Sequence, residues 1–227
     1  MSWLRAVEED GFAVISRVVS AEWVDCLLEE IDRLSPTRTR AGVRHALRLG
    51  PVAALARHPF LKDLSCSVLG KDAFPFRATL FDKSPGANWL VVWHQDTALP
   101  LRERLALPGW GPWSLKDGTN YAHAPASALS QVLALRVQLD DSVGENGPLR
   151  VLPRTHKLGV LSDNDIHDVA QQIAAVDCLA PKGWVVAMRP LIVHASSKSQ
   201  GEMRRRVLHI EYAASDAIAS PLKLAIA

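Results

Sequence analysis

The chain has 227 residues, 48% hydrophobic and 22% charged, the balance of an ordinary globular protein with a real core. Its 26 basic and 24 acidic groups are interspersed and leave a formal charge of +2, which argues against the one-signed field of a nucleic-acid or membrane-surface binder. No run approaches the length of a membrane span. The expected partner is therefore a small-molecule substrate, with no nucleic acid and no membrane, acting on a monomer or small homo-oligomer.

The three cysteines, Cys26, Cys66 and Cys178, are far apart and in no CxxC arrangement, so they read as reduced structural thiols of a cytoplasmic protein. The opening "MSWLRAVEEDGF" lacks the apolar stretch of a signal peptide, and the closing "KLAIA" is no peroxisomal address. One domain over residues 1–227 is expected, without repeats or low-complexity linkers.

Residues 1–75 read as a mostly helical buttress. Ser20 can cap a helix over "AEWVDCLLEEIDRL", where Trp23, Val24, Leu27, Leu28, Ile31 and Leu34 form one apolar stripe that Pro36 helps to end. A second helical stretch, "PVAALARHPFLKDLSCSVLG", closes on Gly70. From Phe76 the period shifts toward two. "FRATLFDK", "NWLVVWH", "VLALRVQLD", "LRVLP", "GWVVAM", "LIVH" and "RRVLHIEYA" read as strands between Gly, Pro, Asn and Asp turns, and one helix interrupts at "DNDIHDVAQQIAAV". The fold class expected is mainly β: a sandwich or jelly roll over residues 76–215, flanked by the N-terminal helices.

His94 and Asp96 stand two apart in "VVWHQD" and so aim to one side of a strand. A facial triad of two histidines and a carboxylate needs a third ligand and leaves positions open on the metal. Alone the pair is a weak signal, because a strand end in water has the same residues. Among the eight histidines, His194 is preferred: it ends the apolar "RPLIVH" and is followed by the small "ASS". His209, mid-strand in "RRVLHIEY", reads as packed, and His45, His58, His123, His156 and His167 as solvated. Arg205 lies eleven positions after His194 in "RRRVLHIEY". Strand parity turns it inward and Arg204 and Arg206 outward. A fixed guanidinium fork one strand from an iron with open positions suits the distal carboxylate of 2-oxoglutarate.

Together these residues resemble the phytanoyl-CoA dioxygenase family of Fe(II)/2-oxoglutarate oxygenases. The resemblance runs through "EEDGFAVISRVVS", "LFDKSPGANWLVVWHQD", "LRVQLDDSVGENGPLRVLPRTHKLG" and "PLIVHASS" followed by "RRVLHIEY". It implies a double-stranded β-helix of the cupin-like kind, with His94, Asp96 and His194 as catalytic iron ligands and Arg205 as the partner of 2-oxoglutarate. It also implies that Gln95 and Ser196 lie around the cosubstrate. Arg136 stands at an inward strand position where some members carry a tryptophan against 2-oxoglutarate, so its role departs from the family pattern. The family's common "PGSH" appears here as "PRTH".

The implied reaction is hydroxylation of a substrate C–H bond by a dioxygenase using Fe(II), 2-oxoglutarate and O2, with release of succinate and CO2. A zinc hydrolase could use the same triad but has no need of Arg205, and a non-catalytic binding module could share the fold. A halogenase would require a non-carboxylate at position 96. For the substrate, the long stretch "PLRERLALPGWGPWSLKDGTNYAHAPAS" reads as a functional lid, with Trp110 and Trp113 as an apolar wall and His123 as a polar contact, or as aromatics pinning a loop. Arg38, Arg40, Arg44 and Arg48 read as a solvated segment that could alternatively meet an anionic substrate such as a CoA ester.

Overall fold

The computed structural model describes residues 2–34, 36–39 and 42–226, so Arg40 lies outside the described residues. Four helices lead the chain. α1 (Trp3–Glu9) is capped by Ser2, and α2 (Ala21–Leu34) by Ser20, whose Oγ accepts from Trp23 N at 3.2 Å. Val24, Leu27, Leu28 and Ile31 bury the α2 stripe, while Leu34, one turn further, is exposed. The second helical stretch breaks into α3 (Gly50–Ala56) and α4 (Pro59–Leu69). Pro59 disfavours the helical region for His58, which sits extended at ψ 139° and caps α4 instead. Gly70 ends α4 at φ 96°, as its position predicts.

The strands are β1 (Phe12–Ile15), β2 (Gly42–Val43), β3 (Phe74–Lys83), β4 (Val91–His94), β5 (Ala98–Leu101), β6 (Trp113–Lys116) and β7 (Thr119–His123). After the short helix α5 (Ala126–Leu129) come β8 (Val132–Gln138) and β9 (Leu149–Val151). Helix α6 (Asp163–Gln172) opens on a capping box between Ser162 and Asp165. Then follow β10 (Val176–Asp177), β11 (Val185–Met188), β12 (His194–Ser196) and β13 (Arg205–Ala213). Six strands form a major antiparallel sheet in the order β1-β11-β8-β13-β3-β2. Four form a minor sheet, β10-β9-β12-β4. Two strands of the supposedly helical front, β1 and β2, thus edge the major sheet.

Period-two alternation decides what each face of the major sheet does. Leu133, Leu135 and Val137 of β8, with Leu208, Ile210 and Tyr212 of β13 and Ala78 and Leu80 of β3, pack against the buried stripes of α1–α4. Tyr212 ties this layer together by donating to Ala56 O at 2.8 Å. Each fully buried Leu or Ile stabilises this layer by roughly 1.5–3 kcal/mol, and Leu135→Ala would cost about 2–5 kcal/mol. The opposite face looks across to the minor sheet. At one end Ala134, Val186 and Met188 meet Leu149, Val151 and Ile192 in an apolar cluster. At the other end the facing residues are polar, and a cavity remains.

Two expectations need correction. "LIVH" is not a strand ending in His194: residues 190–192 form a turn, and His194 opens β12. The long stretch after the metal strand is no loose lid either. β5, β7 and β6 make a three-stranded sheet whose hairpin turns on Asp117 and Gly118, both at positive φ.

Candidate metal centre

His94 and His194 are register partners, at the end of β4 and the start of β12, so the minor sheet itself sets their rings 4.2 Å apart. Asp96 follows β4 and is pinned by its backbone N–H to Pro190 O at 3.0 Å. The three residues bring one ligand atom each within 4.8 Å of one another. His194 Nε2 lies 3.5 Å from Asp96 Oδ2, and His94 Nε2 lies 3.7 Å from Asp96 Oδ1.

Both imidazoles are oriented the same way. His94 Nδ1 sits 2.8 Å from Val92 O and His194 Nδ1 2.9 Å from Ile192 O. A carbonyl only accepts, so each Nδ1 carries the proton and each Nε2 presents a lone pair to the centre. Burial lowers the His194 pKa to about 4 despite the neighbouring Asp96 carboxylate, which keeps the ring neutral. Burial pushes the Asp96 carboxyl up, but the permanent charge of the Arg77 guanidinium, within a surround of polar imidazoles, holds it below the usual carboxylate range. Two imidazole nitrogens and a carboxylate oxygen are the donor set of a borderline divalent cation.

The triad opens into a cavity of about 300 Å³ between the sheets. Its far wall carries cations from three neighbouring strands of the major sheet. Arg205 is 4% exposed and donates from Nε to Asn146 O at 3.1 Å and from Nη2 to Ser196 Oγ at 3.2 Å. Lys83, directly opposite Arg205 in the β13–β3 register and 1% exposed, donates to the same Ser196 Oγ at 2.9 Å. Ser196 donates its own O–H to Gly147 O at 2.8 Å, leaving its oxygen free to accept from both cations. Burial and the charge of Arg136 lower the Arg205 pKa to about 10; burial and the charge of Arg205 lower that of Lys83 to about 8. Among the described residues, neither cation has a carboxylate within ion-pair distance. Arg204 and Arg206 face the other way and are spent on Asp82 and Asp140. The inward turn of Arg205 alone follows from parity.

Gln95 sits elsewhere. Its amide donates to Gly159 O and Leu191 O and accepts from Leu161 N, which braces two loops and turns it away from the cavity. Trp110 and Trp113 pack on the apolar cluster beneath the three-stranded sheet, and exposed His123 shares a 2.6 Å contact with Thr97 Oγ1. None of these three lines the cavity; that sheet contributes Lys116 and Tyr121 instead. Arg38 is paired with Asp82 and Asp32, while Arg44 stands at the mouth. His209 is buried as expected but lines the cavity, beside the buried Arg77–Glu211 ion pair. Lys83, Phe81 and Arg77 were legible in "FRATLFDK", where parity places them on one face with Thr79, and the sequence reading passed over them.

The profile of the phytanoyl-CoA dioxygenase family (PhyH) matches residues 7–207. The chain belongs to this family. Over 188 residues it is 28% identical to an L-proline trans-4-hydroxylase of Streptomyces griseoviridis, covering 70% of this chain and 62% of that enzyme. The chain thus spans less than two thirds of the length of this curated relative. Among solved structures, the non-heme alpha-ketoglutarate-dependent carbocyclase SnoK of nogalamycin biosynthesis superposes with a TM-score of 0.71 at 19% identity, covering 95% of this chain and 85% of its own. EctD from S. alaskensis with bound Fe gives a TM-score of 0.69 at 18% identity, covering 92% and 75%. The family fold is the mainly β jelly roll described above. Within it, "LRVQLDDSVGENGPLRV" runs from β8 through a turn to β9, carrying Arg136 to the cavity wall and the carbonyls of Asn146 and Gly147 to Arg205 and Ser196. No helix among the described residues is long and apolar enough to cross a membrane.

Proposed function

We propose that the protein is an Fe(II)- and 2-oxoglutarate-dependent dioxygenase that hydroxylates a C–H bond of a small molecule, releasing succinate and CO2. One observation carries the reading: a two-histidine, one-carboxylate triad and a pair of buried cations with no carboxylate in ion-pair reach among the described residues face each other in one cavity. His94, Asp96 and His194 would hold the metal. Arg205 and Lys83, joined through Ser196, would hold the distal carboxylate of 2-oxoglutarate. The bound iron and 2-oxoglutarate would supply the activation of O2. The chain's own part is to keep the buried His194 imidazole neutral, hold Asp96 ionised, fix the 2-oxo acid at its far end and exclude bulk water behind the sheets.

A zinc hydrolase would have no use for the Arg205–Lys83 pair. A closed binding module is disfavoured because the His94 side chain is 37% exposed and the cavity reaches solvent at Arg44 and Lys116. Those residues, with Tyr121 and Glu211, support a small polar substrate, as the proline of the hydroxylase's name would be, over a long acyl chain. One shared sheet under α1–α4 supports a single domain, and three free thiols support a reducing, cytoplasmic setting. The test is succinate formation with Fe(II) and 2-oxoglutarate against a panel of amino acids and related metabolites, with His194→Ala as control. Absence of 2-oxoglutarate binding and turnover by correctly folded, iron-loaded protein would refute the reading.

A further inference from the structure

Arg136 is a third buried cation, and the function proposed above gives it no partner. It lies mid-β8 on the cavity face and is 8% exposed. One Nη1 N–H donates to His209 Nδ1 at 3.0 Å, and the guanidinium carbon lies 5.5 Å from the centre of the Phe81 ring. Its Nε–H is buried and meets no acceptor among the described residues. A guanidinium out of water with a free donor and, among the described residues, no carboxylate within ion-pair distance is a site that wants an anion.

Its placement says which anion. Arg205 and Lys83 both reach Ser196 and so converge on one carboxylate-sized spot. Arg136 bonds elsewhere, to the histidine opposite it on β13. In the β8–β13 register it lies level with His209, two inward-facing positions along the strand from Arg205, so it is set apart from the distal cations while lining the same cavity as the metal triad. Burial and the charge of Arg136 hold His209 far below its ordinary pKa, so the ring is a neutral acceptor that fixes the guanidinium in place.

We propose that Arg136 is a specificity-determining residue whose free Nε–H receives the metal-side carboxylate of the 2-oxo acid, so that the cavity reads both ends of a diacid. The proposal rests on the 2-oxoglutarate reading above. It is tested by calorimetric titration of Mn(II)-loaded protein with 2-oxoglutarate and with 2-oxobutyrate, which keeps the 2-oxo acid end and lacks the distal carboxylate. Losing one charge-assisted hydrogen bond weakens binding by about ten- to a hundredfold. Arg136→Met should weaken both ligands by the same factor, with Mn(II) retained and Arg136→Lys recovering part. Arg205→Met should weaken 2-oxoglutarate alone. If Arg136→Met does not fold, the double variant Arg136→Met/His209→Leu, which leaves no imidazole acceptor unpaired, carries the same comparison. Unchanged affinity for both ligands overturns the proposal. So does a loss confined to 2-oxoglutarate, which would assign Arg136 to the distal end, or a failure of the unmodified protein to bind 2-oxobutyrate while it binds 2-oxoglutarate. Unmodified protein that binds neither ligand defeats the 2-oxoglutarate reading itself.

Discussion

Replacing Arg205 with methionine should separate ligand binding from folding. Met matches the apolar length of the side chain but removes a charge held between Asn146 O and Ser196 Oγ. With a carboxylate bound, breaking a buried pair on one side costs about 3–5 kcal/mol, or roughly two to three and a half decades in Kd. Without ligand the sign differs. Lys83, Arg136 and Arg205 repel one another in the same cavity, so removing one charge should leave the ligand-free protein equally stable or slightly more so. The assay is thermal denaturation with and without 2-oxoglutarate. At a hundred times Kd the ligand stabilises the unmodified protein by about 2.7 kcal/mol, a rise of roughly 5–10 °C in Tm for a domain of this size. At the same concentration the variant, weakened at least a hundredfold, gains about 0.4 kcal/mol or less and shifts by roughly 1–2 °C at most. Arg204→Met and Arg206→Met lose surface pairs to Asp82 and Asp140 and should keep the full ligand shift. A full shift in Arg205→Met, or its loss in Arg204→Met, would refute the inward assignment and every facing derived from it on β13.

Three further outcomes follow from the geometry. His194→Ala should abolish metal binding, while His209→Ala keeps the metal and loses 2-oxoglutarate affinity through the freed Arg136; metal analysis and calorimetry on folded protein decide, and equal metal loss would make His209 a ligand. Lys83, lowered to about 8 from 10.5, binds a carboxylate only while protonated, so 2-oxoglutarate affinity should fall as pH rises past about 8. Over the same range the ligand-free protein gains stability, because between about 8 and 10.5 the unfolded chain binds the proton that folded Lys83 has shed; Lys83→Met should flatten both trends. Gly147→Ala would place a Cβ 2.3 Å from Ser197 O at a backbone φ of +67°, so it should lower Tm and disorder the Ser196 junction; an unchanged melt and unchanged 2-oxoglutarate affinity would show that this turn yields easily.

How much of this was open to a reader of the sequence depended on the range of the interaction. The α2 stripe, its Ser20 cap and the strands β3, β8, β11 and β13 follow from local periodicity. So does the turning of Arg205 but not Arg204 or Arg206, since a strand has a period of two whatever it pairs with. Local signals were also available and unused: Pro59 divides the second helix, and Asp117-Gly118 marks the hairpin that turns the supposed lid into a sheet.

What no local pattern holds is which strands become neighbours. Lys83 is 122 positions from Arg205 and becomes its cavity partner only because β3 pairs with β13. His94 and His194 come together because β4 pairs with β12, and His194 opens its strand where the apolar "LIVH" promised an end. Gln95 stands between two cavity residues, yet packing turns it into the loops at Gly159, Leu161 and Leu191. Residue type and parity are properties of the chain. Which buried charges go unneutralised, and so what the cavity waits for, is a property of the pairing, because only the sheet decides which carboxylates are out of reach.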